Sequence, residues 1–368
     1  MINSFKKGGI YINIPTFSQN IPENPNSLKS IRMLVQEFVD SLCTEIKLTC
    51  RETNINFKIN TLYISGTGLK YLSSNQIKNI YKTLQKEFNL SNLEEFTIEA
   101  NKPNLSSNTI ETFKSIRANR FSINIQTLEN TLLKKTAKKY TEKDYLNLFK
   151  KAREFKFNNI NIDMNINIPS QKIYMWKKDL QKITKLSPEH ISIYSFSLKN
   201  INESNKMYRY THNLLHKNKY SQYEICSYSK KNTQCKHNIN YLERNPCISF
   251  GPAAHSLIGN KRYWNTNNTK LYITNLKNKG LPPRKYEKLK KENIFNEIII
   301  NGLKKTTGIN LEIIKNKFGQ IIHKRIIRKT HKWKDYLSLD NDTVAMNIEG
   351  YFILDKITLD LMKAYMKE

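Results

Sequence analysis

The sequence predicts an α/β fold, a partial (β/α)6 barrel followed by a small winged-helix-like α+β domain. Short runs rich in β-branched and aromatic residues alternate six times with longer amphipathic segments in the first half of the 368-residue chain. This alternation is typical of parallel strands joined by right-handed crossovers. Because no glycine-rich dinucleotide fingerprint follows any of these strands, a barrel fits better than a doubly wound sheet.

The strands and helices of the barrel follow from these runs. Runs of Ile, Tyr, Phe and Asn bounded by polar or proline residues predict six strands: Gly9–Pro15, Asn60–Ser65, Glu95–Glu99, Phe121–Gln126, Asn159–Met164 and His190–Phe196. The segments between them have the period of amphipathic helices: Leu28–Arg51, Ser74–Glu87, Ser106–Lys114, a stretch near Leu132, Glu142–Phe155 and Ile173–Lys185. Ligands of such barrels bind at the carboxyl ends of the strands, which here lie near Pro15, Ser65, Glu99, Gln126 and Asp163.

Helical patterns return near the end of the chain and predict the second domain. Phe295–Lys304 is amphipathic, and Asn310 caps a helix that runs through Lys317 and stops at Gly319. We expect a hairpin from two apolar segments, the surroundings of Ala345 and Tyr351–Leu354. Helices followed by a hairpin indicate a winged-helix-like module.

The middle of the chain has a different composition. It is polar, rich in Tyr and Lys, and contains three of the five cysteines. We therefore predict three parts: a barrel over 1–205, a connecting segment over 206–287 and the winged-helix-like domain over 288–368.

Composition excludes several classes of protein. No apolar run approaches the roughly 20 residues of a membrane span, and Met1–Lys7 leads into the first strand without a secretory h-region. An odd number of cysteines does not form a disulfide framework, so we expect a cytoplasmic protein. The net charge is +30, but the basic clusters are separate and lack interleaved aromatics: Lys134–Lys139, Arg284–Lys291 and Lys324–Lys334. We expect no specific nucleic-acid partner, and peripheral membrane contact through the basic surface stays open.

The order of the segments resembles a known family. GIYINIP, TLYIS, EFTIEAN, RFSINIQTL, NNINIDMNINIP, HISIYSFSL, CKHNINY, GPAAHS and RYWN occur in the order seen in HemN-like radical S-adenosylmethionine (SAM) proteins. The order is most similar to that of HemW-type heme chaperones, once described as oxygen-independent coproporphyrinogen III oxidases. The resemblance implies a radical-SAM-type barrel, and it implies a 4Fe–4S cluster, SAM and heme as the ligands of the family.

The cluster positions depart from the family. Its first strand is followed by three cysteines, spaced C-x3-C-x2-C, whose thiolates hold the cluster. Counted from Ile14-Pro15, the matching residues here are Phe17, Ile21 and Asn24. Phe and Ile have no donor atom, and an amide oxygen is a poor ligand for cluster iron. We predict that the cluster is absent, that no metal is bound there, and that reductive cleavage of SAM is lost.

The SAM pocket implied by the resemblance has also changed. The family's Gly-Gly-Gly-Thr-Pro turn reads Ser65-Gly66-Thr67-Gly68-Leu69, and its Gly-Arg-x-His motif reads Ala137-Lys138-Lys139-Tyr140. An ammonium thus replaces a fork-shaped guanidinium. The positions that match the pocket are Tyr11, Gly66, Thr67, Glu99, Gln126, Lys138 and Asp163. We expect weak SAM binding at most, and polar residues that cap the barrel structurally are the alternative.

The resemblance assigns a heme site to the segment Cys235–Tyr241, which carries the HNxxY pattern of HemW-like proteins. A neutral imidazole such as that of His237 is a good axial ligand for heme iron. Asn238 would orient the ring or hold a neighbouring backbone group, and Tyr241 would stack on the macrocycle or bond a propionate. Lys236 and Arg244 are nearby cations for the propionates. The family's Trp after the Tyr is Leu242 here, and a buried, hydrogen-bonded histidine without a ligand is the alternative.

A zinc site is a weaker interpretation of the same region. Cys226, Cys235, His237 and Cys247 lack the tight C-x2–4-C knuckle of structural zinc sites. Buried or adventitious thiols explain these cysteines better.

We therefore predict a cytoplasmic heme-binding, chaperone-like protein that delivers heme to acceptor proteins and has lost radical SAM chemistry. No catalytic residue is assigned. The alternatives are a coproporphyrinogen III oxidase-like radical SAM enzyme of porphyrin biosynthesis and a decayed, non-catalytic remnant. The sequence does not predict the oligomeric state.

Overall fold

The structure is a computed structural model that describes residues 6–17, 25–53, 55–135, 140–195, 201–278 and 280–366. The chain divides into two compact units. Unit 1 comprises 1–163, 235–241 and 245–288, and unit 2 comprises 164–234, 242–244 and 289–368. Each unit is therefore assembled from segments that are distant in sequence.

The strands of the described chain are short and numbered in chain order: β1 (Lys7–Asn13), β2 (Lys58–Ser65), β3 (Glu95–Ala100), β4 (Arg120–Gln126), β5 (Ile160–Ile166), β6 (His190–Ser195), β7 (Ser221–Glu224), β8 (Ser227–Ser229), β9 (Cys247–Phe250), β10 (His255–Ile258), β11 (Lys261–Asn265), β12 (Arg284–Lys288), β13 (Ile309–Asn310), β14 (Leu337–Asp340) and β15 (Thr343–Met346). All six predicted strands are present as β1–β6. Phe196, the predicted end of the sixth, lies outside the described residues.

The α-helices are α1 (Pro25–Glu52), α2 (Ser74–Glu87), α3 (Ser107–Ser115), α4 (Asn130–Lys135), α5 (Glu142–Glu154), α6 (Ile173–Leu186), α7 (Ile201–Lys217), α8 (Lys236–Leu242), α9 (Thr269–Lys277), α10 (Lys291–Lys304), α11 (Leu311–Phe318), α12 (Gln320–Lys332), α13 (Ile348–Tyr351) and α14 (Leu354–Met362). Local signals set several of their starts. Ser73 and Gln76 form a capping box at the start of α2, and Asn310 caps α11 as predicted.

Unit 1 is built on a mixed sheet. β1–β4 pair in parallel in sequence order, and residues of β5 are divided between the two units. On the other side of β1 lies β9, also parallel to it, and then an antiparallel meander of β10, β11 and β12. The sequence did not predict β9–β12, because the polar segment that forms them lacks a clear strand period.

The apolar core of unit 1 lies between the sheet and its helices. Each parallel strand is buried along nearly its whole length, as in β4 with Phe121, Ile123 and Ile125. The long helix α1 contributes a buried stripe at helical spacing: Val35, Phe38, Val39, Leu42 and Ile46.

Unit 2 contains β6, β7 and β8, which pair antiparallel, and a module at the end of the chain. The order α10, β13, α11, α12, β14, β15 is that of a winged helix, and β13, β15 and β14 form its three-stranded sheet. Its core is a continuous apolar cluster that includes Phe295, Ile299, Ile314, Ile326 and Val344.

The predicted hairpin was wrong in one of its strands. Ala345 lies in β15, but β15 pairs with Leu337–Asp340 through the turn Asn341-Asp342, whose residues both have positive φ. Tyr351–Leu354 instead ends α13 and begins α14, because Asn347 accepts the Gly350 N–H and caps a helical turn.

The described helices include none with the length and apolar character needed to cross a bilayer.

Candidate functional site

The HNxxY segment forms α8, whose amino end lies at the start of β3 in unit 1 and whose His237 ring reaches β1 and β2. His237 Nδ1 is 2.9 Å from Thr61 Oγ1 on β2. Its ring packs on two tyrosines, with centroids 6.2 Å from Tyr11 and 5.3 Å from Tyr63. Gly9 leaves room for it, since a Cβ there would be 3.0 Å from the imidazole. The imidazole is thus held against the strands, and we call His237, Thr61, Tyr11, Glu95 and Asn240 the floor site.

Glu95, the first residue of β3, holds the amino end of α8. Its carboxylate accepts the backbone N–H groups of Lys236 at 2.9 Å and His237 at 3.1 Å. The Cys235 thiol donates to the same carboxylate at 3.5 Å. A carboxylate at this position satisfies otherwise unpaired N–H groups and interacts favourably with the helix dipole. Sequence reasoning missed Glu95, because no local signal links it to a helix 140 residues further along the chain.

Asn240 is the buried amide that fixes this arrangement. Its Nδ2 donates to Asn60 Oδ1 at 2.8 Å and to Thr61 Oγ1 at 3.2 Å. Its Oδ1 accepts from Asn245 Nδ2 at 3.0 Å. Asn240 therefore supports Thr61, the residue that holds the imidazole, and the sequence analysis did not single out Asn240. Asn238 itself is half-buried, and its backbone N–H interacts with the Cys235 thiol.

The environment keeps His237 neutral. Burial lowers the pKa of His237 to about 4, and the nearby Arg120 guanidinium acts in the same direction. At neutral pH the ring therefore carries no charge and one of its nitrogens has a free electron pair. This is the protonation state that binds metal ions.

Tyr241 and Lys236, also predicted for heme contact, lie on the outer surface of α8. The Tyr241 side chain is 69% exposed, whereas Lys236 Nζ forms an ion pair with Glu94 at 2.6 Å. In unit 2, Arg244 Nε bonds Glu297 at 2.5 Å. Both cations predicted to meet propionates therefore have carboxylate partners in the chain itself.

A second group of predicted residues lies at the carboxyl ends of the strands, and we call Phe17, Gly66, Thr67, Glu99 and Gln126 the mouth. Glu99 accepts from Ser65 Oγ at 2.9 Å and from Tyr63 Oη at 3.1 Å. Burial and then the charge of Asp163 raise the pKa of Glu99. Asp163 is held by Ser122 Oγ at 3.2 Å and by Asn161 Nδ2 at 2.8 Å.

Tyr63 connects the two groups, although the sequence analysis did not single it out. Its ring packs on His237 and its hydroxyl donates to Glu99. Thr61 and Ser65 are four residues apart on β2, which is about 13 Å along an extended strand. Tyr11, Glu99 and Asp163 share one polar interior. The amino end of the HNxxY helix lies at the opposite end of the strands from the mouth.

Gly66 has a structural reason to be glycine. Its φ is +117°, and a Cβ would lie 2.1 Å from the Ile14 carbonyl oxygen. At Gly68 a Cβ would lie 2.0 Å from the Pro15 carbonyl oxygen. The turn after β2 therefore packs directly on the chain leaving β1, and the hydroxyls of Thr67 and Thr16 form a hydrogen bond there. Close backbone packing explains these glycines without any ligand.

Gln126 ends β4 in an unusual conformation. Its φ is +69°, in the left-handed region that non-glycine residues seldom adopt. Such a conformation costs about 1–3 kcal/mol and persists where surrounding structure enforces it. The strain lies at the mouth, where barrels of this class bind ligands.

Phe17 is part of the core. It is 2% exposed, and its ring packs edge-on against Phe38 at 5.4 Å and Tyr71 at 6.1 Å. The aromatic side chain fills space and offers no donor atom, so the described part of the predicted cluster position does not fit an iron–sulfur cluster. Ile21, Asn24 and Lys138 lie outside the described residues.

No three or more His, Cys, Asp or Glu side chains of the described ranges are grouped as a metal site. Cys235 instead donates to the Glu95 carboxylate at 3.5 Å. Cys247 lies 3.7 Å from the Ser249 hydroxyl. The zinc interpretation of Cys226, Cys235, His237 and Cys247 therefore has no support among these residues.

Comparisons with known proteins agree with this architecture. Residues 18–183 match the model of the radical SAM superfamily. The solved coproporphyrinogen III oxidase of Escherichia coli, a radical SAM enzyme, superposes with a TM-score of 0.79 at 15% identity, over 97% of this chain and 90% of that chain. This likeness confirms the predicted radical-SAM-type α/β fold.

Curated relatives define the family more closely. The heme chaperone HemW of Bacillus subtilis is 28% identical over 304 residues, which is 78% of this chain and 80% of the relative. HemW of Lactococcus lactis is 30% identical over 281 residues, 71% and 73% of the two chains. HemW of Buchnera aphidicola from Schizaphis graminum is 31% identical over 302 residues, 74% and 78% of the two chains. The chain therefore belongs to the HemW family of radical SAM proteins.

Proposed function

We propose that this protein binds heme through His237 and passes it to acceptor proteins, without radical SAM chemistry. The observation that carries the proposal is the neutral imidazole of the floor site. Its Nδ1 interacts with Thr61, and burial keeps its pKa near 4. The similarity of the chain to proteins named heme chaperones supports heme as the ligand.

Ligation would use Nε2, because Nδ1 is engaged by Thr61. Thr61 is held in turn by Asn240, so the ring has the outer support that metal-binding histidines commonly have. Bound heme would supply an iron that accepts this nitrogen. The exposed Tyr241 ring on the same helix would pack on the macrocycle.

The mouth supports a non-catalytic role. A 4Fe–4S cluster needs thiolates, and the described cluster position is a core phenylalanine. We therefore infer no electron transfer to SAM and assign no catalytic residue. Tyr11, Glu99, Gln126 and Asp163 would at most hold a nucleotide weakly, and they also serve the internal hydrogen-bond network that surrounds Tyr63.

We place this task in the cytoplasm, where reduced thiols such as the five free cysteines are the norm. The acceptor would be a heme protein, and transfer can be followed by the spectrum of an added apo-acceptor. Contact with a membrane through the basic surface is a secondary proposal.

Titration of the full, tag-free chain with hemin tests the proposal. Wild type should give a saturable one-to-one Soret shift. His237→Ala should lose or strongly change this spectrum, and Tyr241→Ala should weaken retention of heme while keeping its ligation signature. His255→Ala and His331→Ala are the controls, because both imidazoles are exposed and lie outside α8. An unchanged spectrum and affinity in His237→Ala would refute the site, and a wild type without saturable binding would refute the function.

The enzyme alternative has its own test. After anaerobic reconstitution with iron and sulfide, we expect no stoichiometric cluster, and incubation with SAM and a strong reductant should yield no 5′-deoxyadenosine. Four irons and four sulfides per chain, together with 5′-deoxyadenosine, would instead support a radical SAM enzyme. Absence of both cluster and heme binding would favour the decayed remnant.

A further inference from the structure

Two histidines outside the floor site form a pair on α7 in unit 2. His212 and His216 are one helical turn apart, and their ring centroids are 4.7 Å from each other. Side chains at positions i and i+4 lie on the same face of a helix. This spacing is the one with which helical histidine pairs bind transition metals. His212 is half-buried and His216 is exposed, so an ion from solvent could reach the pair.

A hydrogen-bond network fixes the tautomer of His212. Gln222 Nε2 donates to the Ile225 carbonyl oxygen at 3.2 Å and to Tyr208 Oη at 2.7 Å. Because that carbonyl can only accept, the amide oxygen of Gln222 must be the atom 3.1 Å from His212 Nδ1. An amide oxygen is also only an acceptor, so His212 Nδ1 carries the proton. In the neutral ring, the electron pair is then on Nε2.

The surroundings hold the ring in this state. Tyr228 packs edge-on against His212 with ring centroids 6.3 Å apart. A histidine whose other nitrogen donates to a carbonyl is the arrangement typically found around bound metals.

We propose that His212 and His216 bind a borderline divalent transition-metal ion through one nitrogen each, with water completing the coordination. Imidazole suits Zn²⁺, Ni²⁺ and Cu²⁺, and does not suit Mg²⁺ or Ca²⁺. Gln222 is the positioning residue of this site. The site is independent of the proposed heme function, because it uses neither α8 nor the strands of unit 1.

The experiment is a calorimetric titration of the full, tag-free, heme-free chain with Ni²⁺ alone. Wild type should bind one equivalent. His216→Gln should bind at least about tenfold more weakly, and Gln222→Leu should lose a similar factor because the tautomer is no longer fixed. His331→Gln, which removes an exposed histidine from α12, should bind as wild type does.

His216 is exposed, so its replacement should leave the fold intact, and circular dichroism checks this for each variant. A wild type without saturable binding, or an unchanged affinity in His216→Gln, would overturn the proposal. Equal binding of Mg²⁺ and Ni²⁺ would also overturn it, since that indicates a site of oxygen ligands.

Discussion

The mouth and the floor site occupy opposite ends of the same parallel strands, and they differ in how their polar groups are satisfied. At the floor, Glu95 accepts two backbone N–H groups, and Asn240 uses both its donor and its acceptor. At the mouth, Phe17 fills the core and Glu99 faces the charge of Asp163. The floor is therefore a network of polar groups that pair with one another, whereas the mouth combines a core aromatic ring with a desolvated carboxyl group.

Phe17→Ala should have the largest effect on stability. Removing a buried aromatic ring costs about 3–5 kcal/mol in the free energy of unfolding, and here the ring contacts Phe38 and Tyr71. Urea denaturation would measure the loss. If Phe17 were a tolerated remnant of a ligand position, its removal would cost under about 1 kcal/mol. Phe17→Leu is the matched control and should recover most of the stability.

Stability should depend on pH through His237. The unfolded residue takes up a proton near pH 6.5, whereas the folded one does so only near pH 4. Between these values the unfolded chain holds more protons, so the free energy of unfolding falls as the pH is lowered from 6.5 to 4. The loss attributable to His237 is up to about 3 kcal/mol.

Denaturation series of wild type and His237→Gln would isolate this contribution, because the carboxylates and the other histidines titrate in both proteins. The two pH profiles should diverge as the pH falls below 6.5. Parallel profiles would show that the imidazole is not desolvated at the floor.

Thr61→Val should weaken heme binding by about 10- to 100-fold, as expected when the outer support of a metal-binding histidine is removed. The substitution keeps the volume but removes the oxygen that contacts His237 and Asn240. The measurement is the hemin titration. Ser122→Ala on β4 is the control, because its hydroxyl bonds Asp163 and not the floor site, and it should leave hemin affinity unchanged. Equal affinity in Thr61→Val and wild type would contradict the role of the floor site.

The smallest effects come from one substitution made at two positions of β3. Glu95→Gln should cost about 1–2 kcal/mol, because a neutral amide accepts the N–H groups of α8 less well. Glu99→Gln should be neutral or stabilising by up to about 1 kcal/mol, since it removes a desolvated charge beside Asp163. Thermal unfolding at pH 7 compares the two. Equal losses would mean that mouth and floor are equally optimised.

Local patterns were enough for the elements whose information is contiguous in sequence. The six strands, the capped helices α2 and α11, and the helices of the winged-helix-like module have periodicity or capping residues within a few positions. The hairpin was misassigned because apolar content alone does not separate Tyr351–Leu354 from a strand. The turn Asn341-Asp342 was the overlooked signal.

The sequence by itself determined the α/β class and the parallel order of the first strands, and it singled out Phe17 and the HNxxY residues as candidate site positions. Only the tertiary structure decided that β9, from a polar segment, pairs with β1, and that α8 lies at the amino ends of the strands. It alone identified Glu95 and Thr61 as the partners of that helix, and Asn240 as the helix residue that donates to Thr61. The physical reason is that periodicity and capping act over a few residues, whereas hydrogen bonds and desolvation at the floor join groups about 140 to 180 positions apart, as in Cys235 with Glu95 and Asn240 with Asn60.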